Sequence, residues 1–318
     1  MERLAGQTIL VTGGTGFIGS HLVIELLKTG TRVVVPYIEI DEGSIFQTHG
    51  LSKKVISENI DITDKKRIFA FIKKHRIDYI IHLAAQTLVT QAYRNPLGTL
   101  HTNIAGTYNL LEAVRVAKNI KGIIIASSDK AYGKTNKPYK ETYPLHGDYP
   151  YDVSKTCADL IGQSYYATYN VPVVITRFGN VYGEGDLHFD RIVPGICEAI
   201  VTKKTLQIRS NGKYVRDYIY VKDVVDGYVF LLKHFPSTKG EAYNFSSFDT
   251  LSVVELVEKA GKILHVKIPY KILNTVKSEI PYQHLDDGKV RKLGWENMYT
   301  FESTFQQVLS WYKNILFS

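Results

Sequence analysis

The sequence predicts an α/β protein, a doubly wound parallel sheet with a smaller α/β lobe toward the C-terminus. Three observations predict it. Short apolar runs rich in Val and Ile alternate with helix-length segments through the first half of the chain. The first run leads directly into a turn with glycines at 13, 16 and 19. Past about residue 180 the alternation loosens into helices separated by short strands.

Taken in order, residues 7–12 (QTILVT) read as a strand that enters the glycine turn at Gly13. Residues 20–28 carry helical periodicity, and Gly30 stops the helix. Residues 31–36 (TRVVVP) form a second β-branched run, and a third strand precedes Asp61. A helix over 65–74 starts at Thr63-Asp64, followed by a strand at 78–84 (DYIIHLA). Residues 103–117 make a long amphipathic helix, and 122–127 (GIIIAS) another strand. Apolar strands separated by helices of this length make βαβ units, and their parallel sheet is covered on both faces. Farther on, helices over 191–203 and 251–264 are separated by strands at 205–209 and 214–221. The pattern places one domain at 1–180 and a second lobe at 181–318, with the chain crossing between them more than once.

Composition narrows the classes. At 44% hydrophobic and 22% charged, the 318-residue chain is an ordinary globular sequence. No stretch of eighteen apolar residues and no charged-then-apolar leader is visible, so a soluble cytoplasmic protein without membrane attachment is expected. The net charge is +8, but the Lys and Arg residues are scattered, which argues against a nucleic-acid partner. Cys157 and Cys197 form no CxxC pair, and no metal site is expected. No motif accounts for most of the 22 tyrosines.

The glycine turn carries the first chemistry. In Thr12-Gly13-Gly14-Thr15-Gly16-Phe17-Ile18-Gly19, Gly13 permits a tight turn and Gly16 lets a pyrophosphate approach the backbone. Gly19 lets the helix pack close to the strand. The pyrophosphate then rests on free N–H groups at the positive end of the helix, so Gly13, Thr15, Gly16, Phe17, Ile18 and Gly19 are expected around a dinucleotide. The second strand ends Val35-Pro36-Tyr37, with Glu39 and Asp41 nearby and no arginine cluster, which favours NAD over NADP. Asp61-Ile62, after the third strand, is placed to contact adenine. The whole forms a Rossmann-type NAD(P)-binding domain.

Tyr151 and Lys155 form a YxxxK pair, one helical turn apart on one face. A cationic Lys beside a Tyr, with the positive nicotinamide ring, favours the phenolate and makes Tyr151 a usable base. Upstream, Ser127-Ser128-Asp129-Lys130 follows the strand GIIIA. Residues at the carboxyl ends of parallel strands face the ligand crevice, so Asp129 is a candidate general acid and Lys130 a proton carrier or electrostatic partner.

With these residues in place, the chain resembles the extended short-chain dehydrogenase/reductase family of NAD-dependent epimerases and dehydratases, over nearly its whole length. His82-Leu83-Ala84-Ala85-Gln86 is similar to the family's cofactor-lining strand end, and Asn103 with Gly106-Thr107 to its next helix. Arg177 to Gly183 is similar to the segment whose Asn, here Asn180, meets the substrate diphosphate. Arg216 to Val224 is similar to the segment whose Arg binds that group, and Arg191 is expected beside it. The resemblance implies that Leu83, Ala84, Ala85, Gln86 and Asn103 line the cofactor. It also implies that Gln86, Asn180, Arg191 and Arg216 bind a nucleotide-diphosphate sugar in a lobe at 181–318. Asp129-Lys130, with Ser44-Ile45-Phe46 and Asp190-Arg191-Ile192-Val193-Pro194, is most similar to the CDP-glucose 4,6-dehydratase branch; Tyr132-Gly133 and Tyr182-Gly183-Glu184 look more like the general epimerase pattern.

The resemblance implies an NAD-dependent 4,6-dehydratase. Tyr151 takes the O4 proton with Ser128 hydrogen-bonded to that oxygen, and Asp129 protonates the departing O6. A 4-epimerase of the UDP-glucose type is the alternative; it needs Tyr151, Lys155 and a Ser but not Asp129. A non-catalytic dinucleotide-sensing scaffold is a third class, opposed by the intact Tyr151 and Lys155. The helices 106–117 and 156–169 are expected to pair across a homodimer.

Overall fold

The computed structural model describes residues 4–276 and 279–317. Strands β1 (Thr8–Thr12), β2 (Arg32–Tyr37), β3 (Ile56–Asn59), β4 (Tyr79–His82), β5 (Gly122–Ala126) and β6 (Val173–Phe178) alternate with helices. Those helices are α1 (Phe17–Lys28), α2 (Ile45–Thr48), α3 (Lys65–His75), α4 (Val89–Arg94), α5 (Pro96–Leu100), α6 (Gly106–Ala117) and α7 (Pro150–Tyr169). There follow β7 (Asn180–Tyr182), α8 (Ile192–Thr202), β8 (Leu206–Ile208), β9 (Val215–Tyr220), α9 (Val221–Lys233), α10 (Phe235–Thr238) and β10 (Ala242–Phe245). The chain closes with β11 (Thr250–Ser252), α11 (Val253–Leu264), β12 (Tyr270–Ile272), α12 (Gly288–Arg291) and α13 (Phe301–Phe317).

Seven strands form one sheet in the order β10-β6-β5-β4-β1-β2-β3. The ladders between β1 and β2, β2 and β3, β1 and β4, β4 and β5, and β5 and β6 are parallel. The order turns around between β1 and β4, which puts the ligand crevice of such a sheet outside the carboxyl ends of those two strands. This is the fold class that the alternation of strand and helix signals predicts.

The chain divides into two compact units, and not at one point. One unit holds residues 1–133, 141–177 and 225–244; the other holds 134–140, 178–224 and 245–318. The boundary expected near residue 180 falls between 177 and 178, and the expected further crossings come where 134–140 leaves the first unit and 225–244 returns to it, with β10 completing the edge of the large sheet beside β6. Residues 101–105 form a π-helical turn that takes up the first three residues of the helix expected over 103–117, and α6 follows from Gly106.

In the first unit, one face of the sheet is covered by α3 and α6. Leu10, Val34, Ile80, Ile123 and Ile125 meet Ile68, Phe71, Leu110, Leu111 and Val114 in one apolar cluster. Each of these large side chains contributes about 1.5–3 kcal/mol when fully removed from water. Three of the tyrosines find an explanation in packing. In the second unit Tyr182, Tyr220 and Tyr312 are buried, and their hydroxyls reach Thr304 at 2.7 Å, Glu184 at 2.8 Å and the Asp186 carbonyl at 2.7 Å. Tyrosine here fills core volume while its hydroxyl satisfies a buried polar group. Among the described residues no helix is long and apolar enough to cross a membrane.

Candidate active site

The glycine turn lies between the end of β1 and α1. Gly13 has φ +69°, and a Cβ there would lie 2.8 Å from the Ala84 nitrogen. A Cβ on Gly19 would collide with the Gly13 carbonyl. Gly16 differs: a Cβ there meets only the Gly13 oxygen, at 3.5 Å. Packing within the chain therefore explains Gly13 and Gly19 but not Gly16, as a cradle for a group outside the chain requires. Helix α1 starts at Phe17, three residues earlier than periodicity indicates, with Gly16 as N-cap and no side-chain cap. Its first N–H groups have no intrahelical partners, which is the property an anionic pyrophosphate uses. Phe17 and Ile18 are half-buried in that first turn. These features fit a dinucleotide.

Other expected cofactor residues have defined duties. The Thr15 hydroxyl donates to the Glu39 carbonyl at 3.1 Å, tying the turn to the segment after β2. Leu83, Ala84, Ala85 and Gln86 run half-buried past the end of β4, with the Leu83 N–H on the Thr12 carbonyl at 3.2 Å. Asp61 accepts from the Thr63 N–H and hydroxyl at 2.8 Å each, forming the turn that feeds α3. The Ile62 side chain is in the apolar core, so only its backbone is left to meet an adenine.

A hydrogen-bond chain connects this turn to the YxxxK helix. The Ala84 N–H donates to Thr12 Oγ1 at 3.2 Å, and Thr12 Oγ1 meets His82 Nδ1 at 2.8 Å. His82 Nε2 meets Thr107 Oγ1 at 3.0 Å, and Thr107 Oγ1 donates to the Asn103 carbonyl at 2.6 Å. Because the Thr107 proton goes to Asn103, His82 must donate from Nε2 and accept at Nδ1. Burial, with the Lys155 charge second, pushes the His82 pKa down to about 3, which keeps the ring neutral as this chain requires. The Asn103 amide then donates to Ser154 Oγ at 2.8 Å and to the Gln86 carbonyl at 3.1 Å, and accepts from the Gln86 N–H at 2.8 Å. Ser154 Oγ donates to the Tyr151 carbonyl at 2.6 Å. Asn103 thus spends its amide on Gln86 and Ser154, and the Gln86 side chain meets Leu88 and Thr99.

Tyr151 and Lys155 stand four residues apart near the start of α7, both buried. Lys155 Nζ donates to the Ala126 carbonyl at 2.8 Å, fixing it to the end of β5. Burial pulls its ammonium down to about 8, against the Asp159 carboxylate, which holds it up. At neutral pH it stays mostly cationic beside the tyrosine face.

Ser128, Asp129 and Lys130 occupy the 3-10 turn after β5, with Ser128 as its cap. Ser128 Oγ donates to Asp129 Oδ1 at 3.0 Å and accepts from the Lys130 N–H at 3.2 Å. Asp129 is 2% exposed, and Lys130 Nζ lies 3.6 Å from it. This turn is held from behind. Tyr132, three residues on, accepts from Arg177 Nη1 at 2.6 Å, and Arg177 is buried in a two-pronged pair with Asp159 at 2.8 and 3.0 Å. Thr156 Oγ1 and the His146 N–H both donate to the Ala131 carbonyl. His82 and Arg177 stand in segments that the sequence marks out, but their supporting roles, and Asp159 altogether, were not legible there. Their partners lie 18 to 70 positions away, beyond any local motif.

The second unit carries the other three expected residues. Asn180 opens β7, half-buried. Arg216 in β9 is 7% exposed; its guanidinium donates to the Val215 carbonyl at 2.8 Å and lies 3.4 Å from Glu279. Arg191 caps α8 and reaches both Asp186 oxygens at 3.1 Å.

Comparison with known proteins agrees with this geometry. The model of a family described as "NAD dependent epimerase/dehydratase family" matches residues 9–246. The dTDP-glucose 4,6-dehydratase of Haemophilus influenzae is 30% identical, covering 96% of this chain and 98% of its own. The dTDP-glucose 4,6-dehydratase of Bacillus anthracis, solved in complex with NAD, superposes with TM-score 0.86 at 27% identity, covering 97% of each chain. The UDP-glucose 4-epimerase of Thermotoga maritima, solved with UDP-glucose, superposes with TM-score 0.87 at 28% identity, covering 98% of this chain and all of that one. The dehydratases among these relatives are named for dTDP-glucose, not for the CDP-glucose that the resemblance at Asp129-Lys130 implies.

Proposed function

Because this chain belongs to the NAD dependent epimerase/dehydratase family, we propose that it is a nucleotide-sugar 4,6-dehydratase that forms a 4-keto-6-deoxy sugar. The observation that carries the reading is Asp129, a buried carboxyl on the turn after β5, in the same unit as Tyr151 and Lys155. A 4-epimerase has no step that needs an acid there; a dehydratase must expel a hydroxyl group, a poor leaving group without a proton.

The residues divide the work as follows. Tyr151 takes the O4 proton, with Lys155 favouring the phenolate and Ser128 orienting the oxygen. NAD, held by the glycine turn, supplies the hydride acceptor and later the hydride donor. Oxidation at C4 acidifies the C5 proton, which Lys130 takes directly or through water. Asp129 gives its proton to O6, which leaves as water. Asn180, Arg191 and Arg216 are proposed as ligands of the diphosphate, since guanidinium groups pair strongly with phosphate oxygens. The pair Asp129-Lys130 points to CDP-glucose as substrate, and the names of the relatives point to dTDP-glucose. The second reading is a UDP-glucose-type 4-epimerase, favoured by the likeness to the Thermotoga maritima enzyme. We also propose a homodimer through α6 and α7, where Tyr108, Val116 and Leu160 are exposed.

Asp129→Asn tests the reading on a panel of CDP-, dTDP- and UDP-glucose. The variant should bind the sugar nucleotide, oxidise C4 and accumulate NADH. Product should form slower by on the order of 10²–10⁴. C4 inversion at near wild-type rate without trapped NADH would replace the dehydratase with the epimerase.

A further inference from the structure

Asp152 directly follows the proposed base in α7, and no step above uses it. It is 3% exposed. One of its oxygens accepts the N–H of Tyr149, the residue that caps α7, and this is an ordinary duty at that helix position. The other, Oδ2, is buried with no hydrogen-bond partner among the described residues. The charged groups that act on it are Lys130, Asp129 and Asp148. Two of the three neighbours are carboxylates, and an ionised oxygen buried beside them without a donor is relieved by a proton. Burial, ahead of these charges, pushes the Asp152 pKa up to about 6. Capping accounts for one oxygen; it does not account for a second one left buried and bare.

The proton count of the proposed reaction supplies a use. In each turnover Tyr151 gains the O4 proton and Asp129 loses one to O6, which departs as water. The hydride taken from C4 returns to C6, and the proton taken from C5 is replaced there. The enzyme is left with one proton too many at Tyr151 and one too few at Asp129. It cannot begin a second cycle until a proton reaches Asp129.

We propose that Asp152 is the positioning residue for that proton, a buried store that rearms Asp129 between turnovers. The O–H bond of Asp152 breaks as the one on Asp129 forms, and Asp152 is refilled by the proton released from Tyr151. The inference rests on the dehydratase reading.

Asp152→Asn tests it, because the amide keeps an oxygen for the Tyr149 N–H and holds no acidic proton. The first turnover, run with enzyme in excess, calls on no rearming of Asp129 and should proceed as in wild type. Steady-state kcat should fall about ten-fold or more with KM little changed. In wild type, kcat should decline as pH rises through the Asp152 pKa while the first-turnover rate does not; the variant should lack that decline. Asp152→Glu, which restores a carboxyl, should recover part of kcat. A purely capping role would lower the first turnover, the steady state and the Tm together, and Asp152→Glu would not separate them; that result overturns the proposal. So does a wild-type steady state in Asp152→Asn while the unaltered enzyme makes 4-keto-6-deoxy product. An unaltered enzyme that only inverts C4 overturns the dehydratase reading itself, and the store with it.

Discussion

The Asn103 side chain donates to the Ser154 hydroxyl at 2.8 Å, joining the π-helical turn before α6 to the helix that carries Tyr151 and Lys155. The same amide exchanges two hydrogen bonds with the Gln86 backbone. One side chain thus sets the spacing of two segments on which the site depends, and π turns recur at functional sites for such reasons.

Asn103→Ala should therefore cost stability and turnover together. It leaves the buried Ser154 hydroxyl and the Gln86 amide and carbonyl short of partners, and each such group costs about 1–3 kcal/mol. The urea midpoint should drop, and kcat should fall more than KM rises, because Tyr151 loses its fixed position while Asn180, Arg191 and Arg216 are untouched. A variant with the wild-type midpoint and kcat would remove Asn103 from this role.

Among the described residues Arg216, buried on β9, has a 3.4 Å contact to Glu279 as its ion pair, and Arg191 is already held by Asp186. Arg216→Ala should raise KM for the sugar nucleotide by on the order of ten-fold or more, since a charge-assisted contact to phosphate is lost, with a smaller change in kcat. Arg191→Ala should have the weaker effect on KM. Equal and small effects for both, measured by initial rates, would place the diphosphate elsewhere.

His284 donates to Asp217 at 2.7 Å, and Asp217 also accepts from Ser246, Thr250 and the Leu285 N–H. The hydrogen bond to Asp217 raises the His284 pKa above its ordinary 6.5, against the desolvation that lowers it. The stabilisation is complete below 6.5 and is lost as pH rises through the higher folded-state value. As pH rises above 6.5 wild type should lose the stability that this pair contributes, and His284→Gln should flatten that slope. Parallel urea curves for the two proteins across the range would refute the assignment.

Tyr108 and Val116 on α6 and Leu160 on α7 are exposed, while Leu110, Leu111 and Val114 of α6 are committed to the core. If α6 and α7 pair across a dimer, Leu160→Glu should shift the mass in light scattering toward the monomer at micromolar concentration, because a charge in an apolar interface core is strongly unfavourable. Wild type that is already monomeric under those conditions would dispose of the dimer.

Much of the site was legible because its signals are short-range. Gly13, Gly16 and Gly19 sit within seven residues, and each has a reason in turn geometry, ligand approach or helix packing. Tyr151 and Lys155 share a face because four residues make one helical turn. Ser128-Asp129-Lys130 follows an apolar strand, and strand ends face the crevice in such sheets. The helix start at Phe17 was missed because glycine hides the cap: its backbone does the work, with no side chain to signal it.

The sequence by itself determined the βαβ alternation, the glycine turn and the YxxxK pair, because each is decided by the periodicity and sterics of a few neighbouring residues. Only the tertiary structure decided that 225–244 returns to complete the large sheet, and that Asn103 holds Ser154 across 51 positions. It alone placed His284 against Asp217 across 67 positions, and left Asp152 buried with a bare oxygen. Those outcomes depend on which distant segments are brought together and what water they exclude. A carboxyl, an amide or an imidazole reads the same in the chain whether it ends in solvent or against a buried partner.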